Sequence, residues 1–335
     1  YAKIKLTADI DMSGIAMLPI GHNRGENAQH IFSGVFDGQG HTLANVYIDD
    51  IRIPSGEYEE PATLFYELQN ATVKNFKLTG EMYTSHQFSG PITRWMSGKS
   101  TIDNVEIAVA FHLAPNLKGD TSSGGVIGRN GSANSLINNC LVRTHLIGDE
   151  ADPENPAGPF WYVGGVAGWA DASLQIKNTL ILSEYTNVGA DGDNSRTTSR
   201  GTKATLTNVF VSQYFREAEG TLVTDEQLAT GEVTWKLNGQ TGDDAHWFQT
   251  LGTDVEPRLF DGPTVYYYGG VYTNEKPNPQ LNAFAYNLDA KLAGSEVVVN
   301  YTLNAEAEDV KVNFYDGETL VYTAVSNEVF NAGDH

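Results

Sequence analysis

The run Ile102-Asp103-Asn104-Val105-Glu106-Ile107 has the form apolar, any, Asn, apolar, any, apolar, and five other stretches repeat it. They are Leu43-Ala44-Asn45-Val46-Tyr47-Ile48, Val73-Lys74-Asn75-Phe76-Lys77-Leu78, Ile137-Asn138-Asn139-Cys140-Leu141-Val142, Ile176-Lys177-Asn178-Thr179-Leu180-Ile181 and Leu206-Thr207-Asn208-Val209-Phe210-Val211. Thr179 alone breaks the apolar pattern. The asparagines lie 30, 29, 35, 39 and 30 residues apart, a period within the range of stacked supersecondary units. In the two longest intervals the excess falls at 113–122 and 149–159, both rich in Pro, Asp and Gly, as inserted loops are. Each match is too short for a helix and carries β-branched or aromatic residues, so it reads as a strand with one inward face. Asparagine tolerates left-handed backbone, which suits a bend at one corner of every coil. Six unrelated hairpin turns would not repeat the flanking apolar positions. Stacked corners would place the asparagines in a ladder.

A second element precedes the asparagine in the middle coils, as Ser89-Gly90-Pro91-Ile92, Gly124-Gly125-Val126-Ile127-Gly128 and Gly164-Gly165-Val166-Ala167-Gly168. Small residues there permit tight bends and close stacking. At least two strands and two bends per unit describe a coil that a parallel solenoid provides and a sandwich does not.

Forty-two acidic against 21 basic residues give a formal charge of −21, which repels phosphate backbones and excludes nucleic acid as an expected partner. The lone cysteine, Cys140, lies in an apolar run and cannot form an intrachain disulfide. No stretch of 18 apolar residues is present, so no membrane insertion is expected, and the chain opens in what reads as a strand, as a mature fragment would.

Three stretches then carry a family resemblance. Leu6-Thr7-Ala8-Asp9-Ile10-Asp11-Met12-Ser13, Leu18-Pro19-Ile20-Gly21 and Phe32-Ser33-Gly34-Val35-Phe36-Asp37-Gly38-Gln39-Gly40-His41-Thr42-Leu43 resemble bacterial surface proteins with GLUG-type repeats. Gly164 to Gly168 resembles the GLUG motif itself, without its leucine. The resemblance spans about residues 1 to 260 and implies a right-handed parallel β-helix, an adhesin role and an extracellular or outer-surface location on a bacterium. It carries over no catalytic residue.

Downstream, Thr224-Asp225-Glu226-Gln227 is a capping box and Asn238-Gly239 a stop, which together predict one helix of about four turns. This helix and Trp247-Phe248-Gln249-Thr250-Leu251-Gly252 are expected to cover the last coil, since a solenoid needs its end closed. Similar Lys-Leu-Asn-Gly and Trp-Phe-Gln-Thr-Leu-Gly stretches follow such surface repeats. Tyr266 to Pro279 reads as a boundary, after which strands are expected at 296–303, 310–315 and 319–325. That tail, with Ala332-Gly333-Asp334-His335, resembles immunoglobulin-like domains of the flagellar hook-cap type. Fewer strands are visible than the about seven of a full sandwich, so the native protein is expected to continue.

The fold expected is therefore all-β: a right-handed parallel β-helix over 1–215, a cap with one helix over 216–270, and a partial immunoglobulin-like β-sandwich over 271–335. The acids Asp9, Asp11, Asp37, Asp103, Asp171, Asp191 and Asp193 form no paired signature distinct from turns, so no catalytic residue is assigned. Asp191-Gly192-Asp193-Asn194-Ser195 resembles half a calcium loop but lacks the terminal glutamate, leaving calcium as the one cofactor to consider. The eight histidines form no zinc motif.

Arg94 and Trp95, Arg129 and Asn130, and Trp169 follow the glycine-rich element at nearly equal offsets, with Trp161 and Tyr162 nearby. Aromatic faces beside Arg or Asn suit sugar rings, although interior packing would use the same aromatics. The function expected is a non-catalytic, monomeric adhesin binding a polysaccharide or cell-surface ligand. A polysaccharide lyase or glycoside hydrolase and a passive stalk are the alternatives.

Overall fold

A computed structural model describes residues 2–21, 31–50, 61–114, 121–148, 161–188, 195–215, 217–239, 246–251, 253–260, 265–268, 271–273, 283–326 and 328–335. The described residues are all-β apart from two short helices, and the chain divides into two compact units, residues 1–275 and 276–335.

The first unit is built from long parallel sheets. Eleven strands form the longest, whose main path runs Lys3–Lys5, Val35–Asp49, Thr72–Thr84, Thr101–Leu113, Leu136–Val142, Gln175–Ile181, Thr205–Val211 and Thr221–Leu222. A six-stranded sheet joins Ile31–Phe32, Phe65–Gln69, Thr93–Ser97, Ile127–Asn130, Ala167–Ala170 and Ser199–Gly201, and a three-stranded sheet joins Phe88–Ser89, Thr121–Gly124 and Trp161–Gly164. Each circuit from Phe88 onward visits the three-stranded, six-stranded and long sheets in turn, then returns parallel to where it began. This arrangement is compatible with a solenoid.

The asparagine repeat explains how one strand can turn without losing its inward face. All six asparagines have φ between 45° and 58°. In Thr72–Thr84 the bend at Asn75 breaks the period-two alternation, so both Val73 and Phe76 point inward, followed by Leu78 and Met82. Inward residues stack in register, as in Val73, Ile102, Ile137, Ile176 and Leu206. Thr179 is fully buried, and its hydroxyl donates to the Lys177 carbonyl at 2.7 Å, so the polar exception is satisfied locally.

The ladder is staggered. Asn104 donates to Asn75 and Asn208 to Asn178, both at 3.0 Å, but Asn139 turns to Asp103 and Asn178 to Asn138, the residues just before the preceding corners. At the other end Asn75 donates to Asp37 and Asn45 to Asp11, each at 2.9 Å. The glycine-rich element serves close stacking: a Cβ on Gly125 would lie 2.2 Å from the Gly165 carbonyl oxygen, and one on Gly168 2.0 Å from that of Ser122.

The single helix expected after the repeats is two. Helix α1 (Asp225–Ala229) has the capping box, with Thr224 and Gln227 bonded reciprocally, but Gly231 at φ 82° interrupts the run before α2 (Glu232–Leu237). Their position also differs from the expectation. The helices bury a second core of Leu228, Val233, Leu237, Trp247 and Leu259 against Leu141, Leu180 and Phe210, on the outward side of the long sheet. The cap therefore lies along the flank of the last coils. Asn238 donates to the Trp247 carbonyl and accepts from the Trp247 N–H, while Gln249 donates to Leu228 and accepts from Thr234, so the Lys-Leu-Asn-Gly and Trp-Phe-Gln stretches hold each other.

The second unit consists of antiparallel pairs. Ala285–Ala293 pairs with Glu296–Leu303, which also pairs with Gly333–Asp334, and Val310–Asp316 pairs with Thr319–Ser326. Among its described residues only Leu303 is a buried hydrophobic.

Candidate functional site: an aromatic and arginine row on the six-stranded sheet

Parallel register carries the outward residues of this sheet into one row. Glu67 is opposite Trp95, Trp95 opposite Arg129, and Arg129 opposite Trp169. Beyond Trp169 the register shifts and Arg200, itself buried, continues the line. The inward neighbours Leu68, Met96 and Ala170 are buried and anchor the strands beneath.

Aromatic rings and guanidinium groups interleave along the row. Arg94 lies 5.2 Å from the Tyr66 ring and 5.7 Å from Trp95, and donates to Glu67 at 2.8 Å. Arg129 sits 4.4 Å above Trp95 and 4.9 Å from Phe88, with a two-point contact to Asp171 at 2.8 and 3.0 Å. The Trp169 indole N–H donates to the same carboxylate at 3.0 Å. Arg200 is 4.4 Å from Tyr162 and 5.5 Å from Trp169, and its guanidinium bonds the Ser122 hydroxyl. Stacking of this kind holds the rings at fixed spacing. Trp95 and Trp169 stay partly accessible, so the row combines apolar ring faces with oriented donors and carboxylate acceptors.

Of the residues singled out in the sequence, Arg94, Trp95, Arg129, Tyr162 and Trp169 come together. Asn130 is a correction. It is buried, and its amide donates to the carbonyls of Ser132 and Ala172, so it ties a corner and faces no ligand. Trp161 lies on a described strand, but its side chain is outside the described residues, as is Asp191 to Asn194 of the calcium-like loop. Sequence reasoning missed Tyr66, Glu67, Phe88 and Arg200, and weighed Asp171 only as a catalytic acid. Counting back from each corner asparagine would have found two of them: Glu67, Trp95, Arg129, Trp169 and Arg200 stand 8, 9, 10, 9 and 8 residues before it.

Several acids weighed for chemistry serve structure. Asp11 is held at about 2 by the Asn45 amide and Ser13, and Asp37 is lowered because hydrogen bonds from Asn75 and Gln39 and the Lys74 charge outweigh its burial. Asp103 accepts from both Asn138 and Asn139. Asp50 differs: burial pushes its carboxyl up to about 7 despite hydrogen bonds from Thr84 and Ser85. Nearby, Glu81 accepts from Tyr83 at 2.6 Å and pairs with His112 at 3.0 Å, and the Tyr83 and His112 rings stack 4.2 Å apart. Among the described residues no three His, Cys, Asp or Glu side chains converge as metal ligands. Burial pushes the Cys140 thiol up to about 12.

No family model and no curated protein matches this sequence. Solved structures do match. A crystal structure described as a "putative immunoglobulin A1 protease" from Bacteroides ovatus superposes with a TM-score of 0.50 at 18% identity, over 76% of this chain and 84% of that one. An IgA1 protease matches with a TM-score of 0.37 at 14% identity, over 67% of this chain and 20% of that chain. The likeness to the Bacteroides ovatus protein is one of fold.

Proposed function

We propose that this chain is a non-catalytic bacterial surface protein, an adhesin of the GLUG-repeat type, that binds glycans on the six-stranded face of a right-handed parallel β-helix. In this reading the β-helix occupies 1–215, its cap 216–270 and a partial immunoglobulin-like sandwich 271–335, and the protein acts outside the cell as a monomer without a cofactor. Among the described residues no helix is long and apolar enough to cross a membrane.

The observation that carries the reading is the register of Trp95, Arg129 and Trp169 on adjacent coils. Coils are about 4.8 Å apart, so the row offers ring faces and polar groups at close, regular intervals to an extended oligosaccharide. Protease chemistry, which the name of the fold neighbour would suggest, finds little purchase here: the one thiol is buried and held protonated, and Asp103 and Asp171 are engaged by asparagine amides and by Arg129.

A polysaccharide array on the whole chain tests this, scored for retention and for new reducing or unsaturated ends. Trp95→Ala and Trp169→Ala should each weaken retention about tenfold in a protein of unchanged circular dichroism, the loss of one stacking contact of about 1.4 kcal/mol. Release of product would replace the adhesin by a lyase or hydrolase, and retention indifferent to both substitutions would remove the row from binding.

A further inference from the structure

On the outward side of the long sheet, Thr42, Lys77, Glu106, Leu141, Leu180 and Phe210 stand in register on six successive strands. The last three lie under the cap. Where the column turns polar, the edge of the cap leaves a cleft of about 540 Å³, with Thr42, Lys77, Glu106 and Leu141 along its floor and residues 253–260 as its wall. That volume is typical of a small-ligand site.

The width of the cleft is fixed by an ion-pair bridge. Arg143, just past the strand Leu136–Val142, contacts Glu256 of the wall at 2.6 Å and Glu106 of the adjacent coil at 4.0 Å. Glu106 also accepts from Lys77 at 2.7 Å, and Asp254 pairs with Arg258 at 3.2 Å. Three cations thus match three carboxylates, but they are not equally accessible. The side chains of Lys77 and Arg258 are 38% and 39% exposed, whereas those of their partners Glu106 and Asp254 are 12% and 11% exposed. Arg143 and Glu256 are equally accessible, so the cations that stand forward of their partners are Lys77 and Arg258.

We propose that this cleft binds an acidic glycan, its carboxylate or sulfate met by Lys77 and Arg258 and its ring resting against Ala108 and Phe260. Apolar floor and wall beside charged rims suit a sugar ring that carries an anion. A peptide is the poorer fit, because the backbone of these coils is already paired on both sides and offers no strand edge. The site shares no residue with the Trp95–Trp169 row, so the two readings stand or fall separately.

The test is calorimetric titration of the whole chain with short oligogalacturonates, their methyl esters, chondroitin sulfate oligosaccharides and oligoglutamate. Short probes are needed because the formal charge of −21 repels a long polyanion before contact. Binding of either acidic sugar, lost on esterification of the galacturonate where that is the ligand, supports the cleft. Replacing both Lys77→Gln and Arg258→Gln should weaken it by about tenfold or more, whereas Lys291→Gln, in the second unit, should leave it unchanged. Unchanged thermal melting and Trp247 emission establish that the double variant is folded. The proposal is overturned if no acidic sugar binds, if the ester binds as well as the acid, if the cleft substitutions have no effect, or if oligoglutamate binds as tightly.

Discussion

Thr42, Lys77 and Glu106 occupy the same outward column as Leu141, Leu180 and Phe210, yet one half is polar and the other apolar. The inward column of Val73, Ile102, Ile137, Ile176 and Leu206 shows no such change. Residues facing the core answer to the stacking repeat, and residues facing outward answer to whatever lies upon them. Here the change of character marks the edge of the cap, and the cleft lies along that edge.

The comparison breaks most severely at Leu180→Lys, which gives a capped coil the side chain of an uncapped one. Leu180 is fully buried, and an unpaired charge in its place should destabilise the cap by about 3–5 kcal/mol. The expected outcome is release of the cap with the parallel sheets retained: Trp247 emission shifts to the red and residues 216–260 become protease-sensitive. Simultaneous loss of the sheet signal would mean that the two cores fold as one.

A smaller effect sharpens the uncapped side, where Asp50 lies just past the end of Val35–Asp49 and keeps some solvent contact. Its folded-state pKa of about 7 is above the ordinary 3.8 of the unfolded chain. Stability from this group is therefore full below about pH 4 and is lost as pH rises through 7. Asp50→Asn should stabilise the protein above pH 7 by about 2–3 kcal/mol, discounting the shift for remaining solvent contact, and by little at pH 4. Denaturant midpoints across that range would read the difference, and a constant offset would assign it to something other than titration.

The smallest expected effect probes what both halves share. Asn178 has φ 45° in the ladder, so Asn178→Ala should cost about 1–2 kcal/mol and Asn178→Gly less, because glycine keeps the backbone and loses only the amide contacts. Equal losses in urea melts would place the cost in the hydrogen bonds.

The parallel strands were legible because each coil must present the same inward shape to the next, which writes Val73, Ile102, Ile137 and Ile176 into the sequence at a period. The cap's seat was less so. Leu141, Leu180 and Phe210 sit at a position the repeat leaves free, and only their coincidence with a later amphipathic segment distinguishes them from chance. The helix break at Gly231 was visible as a residue but outweighed by the strong capping signals at either end. In the aromatic row, Trp95, Arg129 and Trp169 were found because they recur, and Arg200 keeps nearly the same offset from its corner asparagine but carries no glycine-rich element before it, whereas Asp171 enters through a corner that no period records. Asn130 was misjudged because adjacent residues on a strand share an offset but not a face.

The last amide of the asparagine ladder, on Asn208, donates at 2.7 Å to the Lys236 carbonyl in α2. The stack thus ends by handing its final donor to the cap, much as each coil hands one to the next. Duplicating or deleting a whole coil between Asn75 and Asn178 would leave that terminal contact intact, while a fractional insertion would interrupt the chain of donors and the inward columns together. Descendants of this architecture are therefore free to change length, but in steps of one coil.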